Sequence, residues 1–515
     1  MNTLPELRRL GLALIALAGL QARAADNDPA DTTTAWLAEH YTKYEHRIPM
    51  RDGVRLFTRA YLPKDDSQPW PILLVLTPYS LKPYGVDNYS DPSGSFETLA
   101  KDTFILVTQD VRGRFGSEGE YVHVRPFNPD KGPRDADESS DAWDTIDWLV
   151  KNVPGHNGNV GLFGISYPGF YTSMGMIDSH PALKAASPQA PIADWFMGDD
   201  VHHHGAFFLA QSFGFFYWFA QRVDDPLHEE IKRFHFGTPD GYDFFLRMGP
   251  LANSETQYFK GCSTTWTEFL AHPNYDAYWQ ARNIRPHLKN IRCAVMTVGG
   301  WFDAEDLFGP LETYRWTERL NPGITNLLVM GPWSHGGWSR SAGDRLGPVS
   351  FHANTSEFFL QHIELPFFRH FLKGDTNYTV TEARIFETGT HQWRRFRTWP
   401  PTNVVARTLY FRPAGALAFD PPTEGANAFD EYVSDPAKPV PCSNEPSTGY
   451  PRAYPVEDQR FVASRPDVLV YETEPLSEDL TIAGPLQATL HVSTTGTDAD
   501  WVVKLIDVYP GDFPD

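Results

Sequence analysis

The 515-residue sequence predicts an α/β domain, interrupted by a helical insertion and followed by an all-β sandwich. Three observations carry this reading. Short, continuous apolar runs alternate with helical patterns as far as residue 377, the mark of strands buried on both faces of a parallel sheet. An aromatic-rich stretch at 201–288 lacks strand runs. From 378 onward the texture becomes short alternating strands punctuated by proline, as in sandwiches and barrels.

The elements follow in order. Arg8 and Arg9, the apolar run 10–20 (LGLALIALAGL) and Ala22-Arg23-Ala24 read as an export leader over 1–24, because eleven apolar residues are too few to span a bilayer. A secreted or periplasmic protein is therefore expected. Residues 48–56 alternate about Asp52-Gly53 and predict an entry hairpin. Strands are expected at 71–77 (PILLVLT), 104–108 (FILVT), 159–164 (NVGLFG), 293–298 (CAVMTV) and 326–330 (NLLVM). The clearest helix is 139–151, with Ala142, Ile146, Leu149 and Val150 at helical spacing and acids in its first turn. The insertion has helical patches at 226–234 and 276–281, and a helix over 357–373 closes the α/β part. Strands of the β part are read at 381–387, 408–412, 490–493 and 501–508. The domains are thus 25–200 and 289–377 for the α/β part, 201–288 for the insertion and 378–515 for the β part.

Composition sets limits on function. Hydrophobic residues make 41% and charged residues 21%, enough for cores and unlike a disordered chain. The 43 prolines exceed the usual ~5% and predict rigid loops. A net charge of −21 repels phosphate backbones and anionic membranes, so neither nucleic acid nor membrane is expected as a partner. Cys262, Cys293 and Cys442 leave room for one disulfide at most and form no metal motif.

The strand NVGLFG runs through Gly164-Ile165-Ser166-Tyr167-Pro168-Gly169 into a helical stretch, 170–177. A strand, a tight turn with a serine and a helix make a nucleophile elbow, which pushes the hydroxyl out of the sheet and places helix N–H groups behind it. The usual glycine two residues after the serine is Pro168 here, with Gly169 one place later. An acid and a histidine should follow at the ends of later strands. Asp303 follows CAVMTV, and His335 follows NLLVM, in the required order. Ser166, Asp303 and His335 are the candidate nucleophile, orienting acid and base.

These residues belong to a wider pattern. It comprises Thr77-Pro-Tyr-Ser80, Asp110-Val-Arg-Gly113, Ser117-Glu-Gly119, the elbow, His180-Pro-Ala-Leu-Lys184, Met197-Gly-Asp-Asp200, Gly205-Ala-Phe207, 301–306, Gly331-Pro-Trp-Ser-His335 and 494–508. The pattern resembles the α-amino acid ester hydrolases, or β-lactam antibiotic acylases, of the cocaine esterase and X-Pro dipeptidyl peptidase superfamily. The resemblance spans nearly the whole chain after the leader. It implies an α/β-hydrolase domain with a helical cap and a jelly-roll β domain, and in that family the place of Pro168 is variable. It implies the same triad, with an oxyanion hole made by the Tyr167 backbone N–H and the Tyr79 hydroxyl. It also implies a homo-oligomer and a β domain that runs on past this last strand, so the expectation is an incomplete jelly roll.

The resemblance further implies that Asp200, Glu305 and Asp306 form a carboxylate cluster for a substrate ammonium. Clustered acids beside an acyl site need a positive partner, and one ammonium contact at 4 Å is worth roughly 4 kcal/mol at an effective dielectric of 20 before desolvation. The adjacent His202-His203-His204 is not expected to bind metal, since consecutive residues do not converge on one ion. No cofactor is required. The expected activity is hydrolysis, or acyl transfer, of α-amino acid esters and amides, including β-lactams. The alternatives are a glutaryl-7-aminocephalosporanic acid acylase or broad carboxylesterase with the same triad, and a non-catalytic carbohydrate-binding protein.

Overall fold

The computed structural model describes residues 29–90, 94–221, 231–423 and 428–511, so the expected leader lies outside the described residues. Helix α1 (Pro29–His40) enters the expected hairpin, β1 (Tyr41–Pro49) and β2 (Arg55–Pro63). Strand β3 (Trp70–Thr77), helix α2 (Ser95–Lys101), β4 (Ile105–Asp110), α3 (Glu138–Asn152), β5 (His156–Ile165), α4 (Tyr167–Met176) and β6 (Leu183–Gln189) follow. A small hairpin, β7 (His202–His203) with β8 (Ala206–Phe207), opens the insertion, which continues through α5 (Leu209–Phe219), α6 (Gly241–Met248), α7 (Thr264–Ala271) and α8 (Ala277–Arg282). The chain returns with β9 (Ala294–Gly300), α9 (Phe308–Leu320) and β10 (Asn326–Gly331). It then forms the short pair β11 (Arg345–Leu346) and β12 (Val349–Ser350), followed by β13 (Ala383–Glu387) and β14 (Gln392–Phe396).

One ten-stranded sheet, in the order β1-β2-β4-β3-β5-β6-β9-β10-β13-β14, organises residues 41–396. From β4 across to β13 its strands are parallel. The apolar runs have no polar face because both faces are covered. Ile72, Leu74 and Leu76 of β3 enter one core with Ala142, Ile146 and Leu149 of α3 and Phe170 and Met174 of α4. Leu73 enters the opposite core with Leu37, Leu99 and residues Phe359, Ile363, Phe367 and Leu372 of the helical run 355–373. Helix α3 starts on a capping box, in which Asp137 accepts from the Ser140 N–H and Ser140 from the Asp137 N–H.

Strand β6 has the sequence LKAASPQ and offers no apolar run, which is why it escapes sequence reading. Its polar groups are buried but satisfied: Ser187 donates to the Met296 carbonyl, Gln189 donates to Glu364, and the Trp338 indole donates to Gln189.

Three expectations need correction. Strand 381–387 does not belong to the β part: β13 lies parallel to β10, pairing Leu328–Met330 with Ala383–Ile385, and β14 folds back on it as the sheet edge. The α/β sheet therefore extends past the expected boundary at 377, with β13 lying between β10 and the edge strand β14. Beyond it, the described strands are β15 (Tyr410–Arg412) and β16 (Ala416–Ala418), with a bridge from Ala416 to Glu472, and the expected strands 490–493 and 501–508 form no ladder. In the insertion, residues 226–230 of the patch expected at 226–234 lie outside the described residues, and 231–234 is not helical, whereas α8 coincides with the patch at 276–281. The described cysteines are all free.

Helix α9 begins against the loop after β6. A Cβ on Gly309 would lie 1.7 Å from the Pro191 carbonyl oxygen and 2.9 Å from an Asp199 carboxylate oxygen. Gly309→Ala should therefore destabilise the protein by about 1–3 kcal/mol or more, read as a lower denaturation midpoint. An unchanged midpoint would show that this approach is loose.

Candidate active site

The strand β5 ends at Ile165, and α4 begins at Tyr167, so Ser166 makes the turn alone. Its backbone is left-handed (φ 67°, ψ −124°), a conformation that costs a serine energy and is held by its surroundings. The Ser166 N–H donates to the Gln189 carbonyl at 2.9 Å, and the Ser166 carbonyl accepts from the Phe170 N–H at 3.0 Å. The shifted glycine has a reason here: a Cβ on Gly169 would stand 2.4 Å from that same Gln189 oxygen. Pro168 falls in the first turn of α4, where its missing N–H costs nothing. The Tyr167 N–H lies in the same turn, where helical N–H groups have no acceptor within the helix.

Asp303 and His335 meet at the ends of β9 and β10. The two strands run in register, and the Phe302 N–H donates to the Trp333 carbonyl at 3.1 Å. Asp303 is buried and saturated. One oxygen accepts from the Glu305 and Asp306 N–H groups at 2.9 and 3.0 Å, and the other lies 2.9 Å from His335 Nδ1. That contact fixes the ring with Nε2 pointing away from Asp303. Nε2 is 3.5 Å from Glu305 Oε2, and among the described residues Ser166 has no hydrogen bond to the ring. Burial disfavours the imidazolium, but Asp303, Glu305 and Asp200 outweigh it and push the pKa up to about 9.

The three other acids converge. Asp200 adopts a left-handed turn (φ 37°), donates its N–H to the Glu305 carbonyl at 3.1 Å and accepts from the Trp195 indole at 3.1 Å. Burial, then the charge of Glu305, pushes its pKa up to about 7. Asp306 is fully buried, and neither carboxylate oxygen has a hydrogen-bond partner among the described residues. Burial, then Asp200, Asp199 and Asp303, raises its pKa well above the usual range. Glu305 accepts from the Tyr450 hydroxyl through Oε1. Tyr79 belongs to the same group, because burial and the charges of Asp200, Glu305 and Asp306 hold its hydroxyl protonated far above pH 10, as a donor must be.

The structure thus brings together Asp303, His335, Asp200, Glu305, Asp306 and Tyr79, and sets Ser166 and the Tyr167 N–H on the elbow. Sequence reasoning missed Trp195, Asp199 and Tyr450. Asp199 is fully buried, with one oxygen accepting from the Ala193 and Asp194 N–H groups at 2.8 and 2.9 Å and the other unpartnered. Tyr450 lies in a proline-rich segment without any motif and reaches the site from the C-terminal part, its ring 5.3 Å from that of Phe208. Phe213, Phe216 and Phe219 of the aromatic-rich insertion are all buried in one core, where Phe219 packs against Tyr79 at 5.3 Å and Phe216 against Trp195 at 5.8 Å. His202 stacks on Phe196 at 4.4 Å as part of the core.

The chain belongs to the X-Pro dipeptidyl-peptidase (S15) family. The family model matches residues 52–337, and the model of the X-Pro dipeptidyl-peptidase C-terminal non-catalytic domain matches 380–512. The chain is 28% identical over 485 residues to a cocaine esterase of Rhodococcus sp. (strain MB1 Bresler), covering 90% of this chain and 79% of the relative. A solved aminopeptidase from a marine-sediment Thaumarchaeota archaeon is 38% identical, with 85% of this chain and 73% of that one covered and a TM-score of 0.78. A solved α-amino acid ester hydrolase is 35% identical, with 90% and 77% covered and a TM-score of 0.79. This S15 protein is accordingly a hydrolase of the serine esterase and peptidase type, with an α/β-hydrolase domain and a C-terminal β domain.

The imidazolium of His335 is favoured in the folded state over an ordinary histidine near 6.5. Its contribution to stability is therefore complete below about pH 6.5 and lost as pH rises through about 9. A histidine NMR titration should find this ring's midpoint near 9, moving down toward the ordinary range in Asp303→Asn. A midpoint near 6.5 in the unaltered protein would contradict the geometry.

Proposed function

We propose that this protein cleaves esters and amides whose acyl part carries a free α-ammonium group, through an acyl-enzyme on Ser166. The observation that carries this reading is the set Asp200, Glu305 and Asp306 beside the His335–Asp303 pair, with buried Asp306 oxygens that have no partner. An ammonium group supplies the missing charge and up to three donors. The two solved relatives support it, since an aminopeptidase and an α-amino acid ester hydrolase are both named for an acyl group bearing an amine.

In this mechanism Ser166 Oγ bonds to the carbonyl carbon as its proton passes to His335 Nε2. The developing oxyanion is held by the Tyr167 N–H and the Tyr79 hydroxyl. Collapse breaks the bond to the leaving alcohol or amine, which takes the proton from His335. Water then attacks the acyl-enzyme, gives its proton to the ring, and the ring returns it to Ser166 as the acid departs. An amine in place of water makes an amide instead, and a β-lactam nucleus with a free amine would yield an acylated antibiotic. The leader read from the sequence supports a site of action outside the cytoplasm.

The test is a matched pair, D-phenylglycine methyl ester and methyl phenylacetate. The amino ester should be strongly preferred in kcat/KM, and Asp200→Asn should cost it on the order of tenfold to a hundredfold without slowing the other ester. Ser166→Ala should remove turnover of both by a factor on the order of 10⁴ or more. Because Asp200 takes up a proton near pH 7, KM for the amino ester should rise as pH falls through about 7. Equal rates on both esters would replace this reading with a general carboxylesterase.

A further inference from the structure

His335 is enclosed by acids from several directions. From the loop after β9, Asp303 and Asp306 lie 2.9 and 3.7 Å from Nδ1, and Glu305 lies 3.5 Å from Nε2. From the loop after β6, Asp200 adds its charge. On its own segment, Arg340 donates to the His335 backbone carbonyl at 3.3 Å rather than to the ring. From the insertion, His203 faces Asp303, and from the C-terminal part Tyr450 donates to Glu305 Oε1. Glu305 is thus used at both oxygens, one by a phenol and the other by the ring nitrogen that the proposed reaction needs.

That arrangement conflicts with base catalysis. A proton on Nε2 facing Glu305 leaves no lone pair for the Ser166 hydroxyl, and the surrounding charge favours that proton. We propose that Glu305, with its other oxygen held by Tyr450, clamps the His335 imidazolium, and that the substrate ammonium opens the clamp by taking the Glu305 carboxylate for itself. The inference rests on the ammonium reading above and adds that the amine is a trigger as well as an anchor. Asp200, Glu305 and Asp306 then face a cation, the field on the ring falls, and Nε2 loses its proton to solvent and becomes the acceptor for Ser166. Linkage makes the effect reciprocal: a bound ammonium disfavours the ring proton, and a protonated ring weakens ammonium binding to the same degree. An ester without the amine meets a ring that stays cationic, so discrimination arises in the chemical step as well as in binding.

The experiment is the pH dependence of kcat, which reports the enzyme–substrate complex, for the same two esters. The acid limb should lie near pH 9 for methyl phenylacetate and at least one pH unit lower for D-phenylglycine methyl ester. Glu305→Gln should bring the limb for methyl phenylacetate down, raising its kcat at pH 7 about tenfold for each pH unit moved. A shared acid limb in the unaltered protein overturns the clamp, as does a separation that persists in Glu305→Gln. Should that variant fail to fold, the unaltered protein decides. Methylammonium chloride, compared with sodium chloride at equal ionic strength, should accelerate methyl phenylacetate turnover at pH 7 several-fold, and no acceleration overturns the proposal. Failure of the ammonium reading looks different, as equal kcat/KM for the two esters, whereas amino-ester preference with a shared limb removes the clamp alone.

Discussion

Negative charge is concentrated at one end of the sheet around a single imidazole, and much of the local structure follows from having to keep it there. Asp303 accepts two backbone N–H groups and the ring, Asp199 accepts two backbone N–H groups, and Asp200 accepts an indole N–H. These bonds offset part of the cost of withdrawing carboxylates from water. Asp306 has no such bond. Burial and its acidic neighbours raise the Asp306 carboxyl well above the usual range instead.

The scaffold holds this charge by close approach of backbone. Ser166 is kept in its left-handed turn by Gln189, and the same carbonyl oxygen leaves no space for a side chain at position 169. Position 309 is closed in the same manner by Pro191. Gln189 is in turn fixed by Glu364 and Trp338, from the two segments that follow β10. The geometry of the Ser166 turn therefore depends on contacts between segments far apart in the chain.

The C-terminal part takes a share in the site. Pro439 and Ser447 carbonyls accept from the Tyr242 hydroxyl and the Gly241 N–H of the insertion, and Tyr450 lies just beyond. The segment so anchored brings a phenol to Glu305. A region matching a non-catalytic domain thus reaches the carboxylate that faces His335 Nε2.

Much of the fold and the site was legible because the signals are local. The apolar runs of β3, β4, β5, β9 and β10, the elbow, and the positions of Asp303 and His335 at strand ends are each written in a few consecutive residues, and burial on both faces of a parallel sheet demands such runs. The resemblance carried Tyr79, Asp200, Glu305 and Asp306. Strand β6 was illegible because its polar residues are satisfied by distant partners, and β13 was misplaced because an alternating strand reads alike in either domain until its neighbour is known. Tyr450 gave no signal at all. The sequence by itself determined the chain order of the chemical groups and the type of each layer, since these depend on near neighbours. Only the tertiary structure decided which carboxylate faces Nε2, because charges act through space and their order along the chain does not set the distances between them.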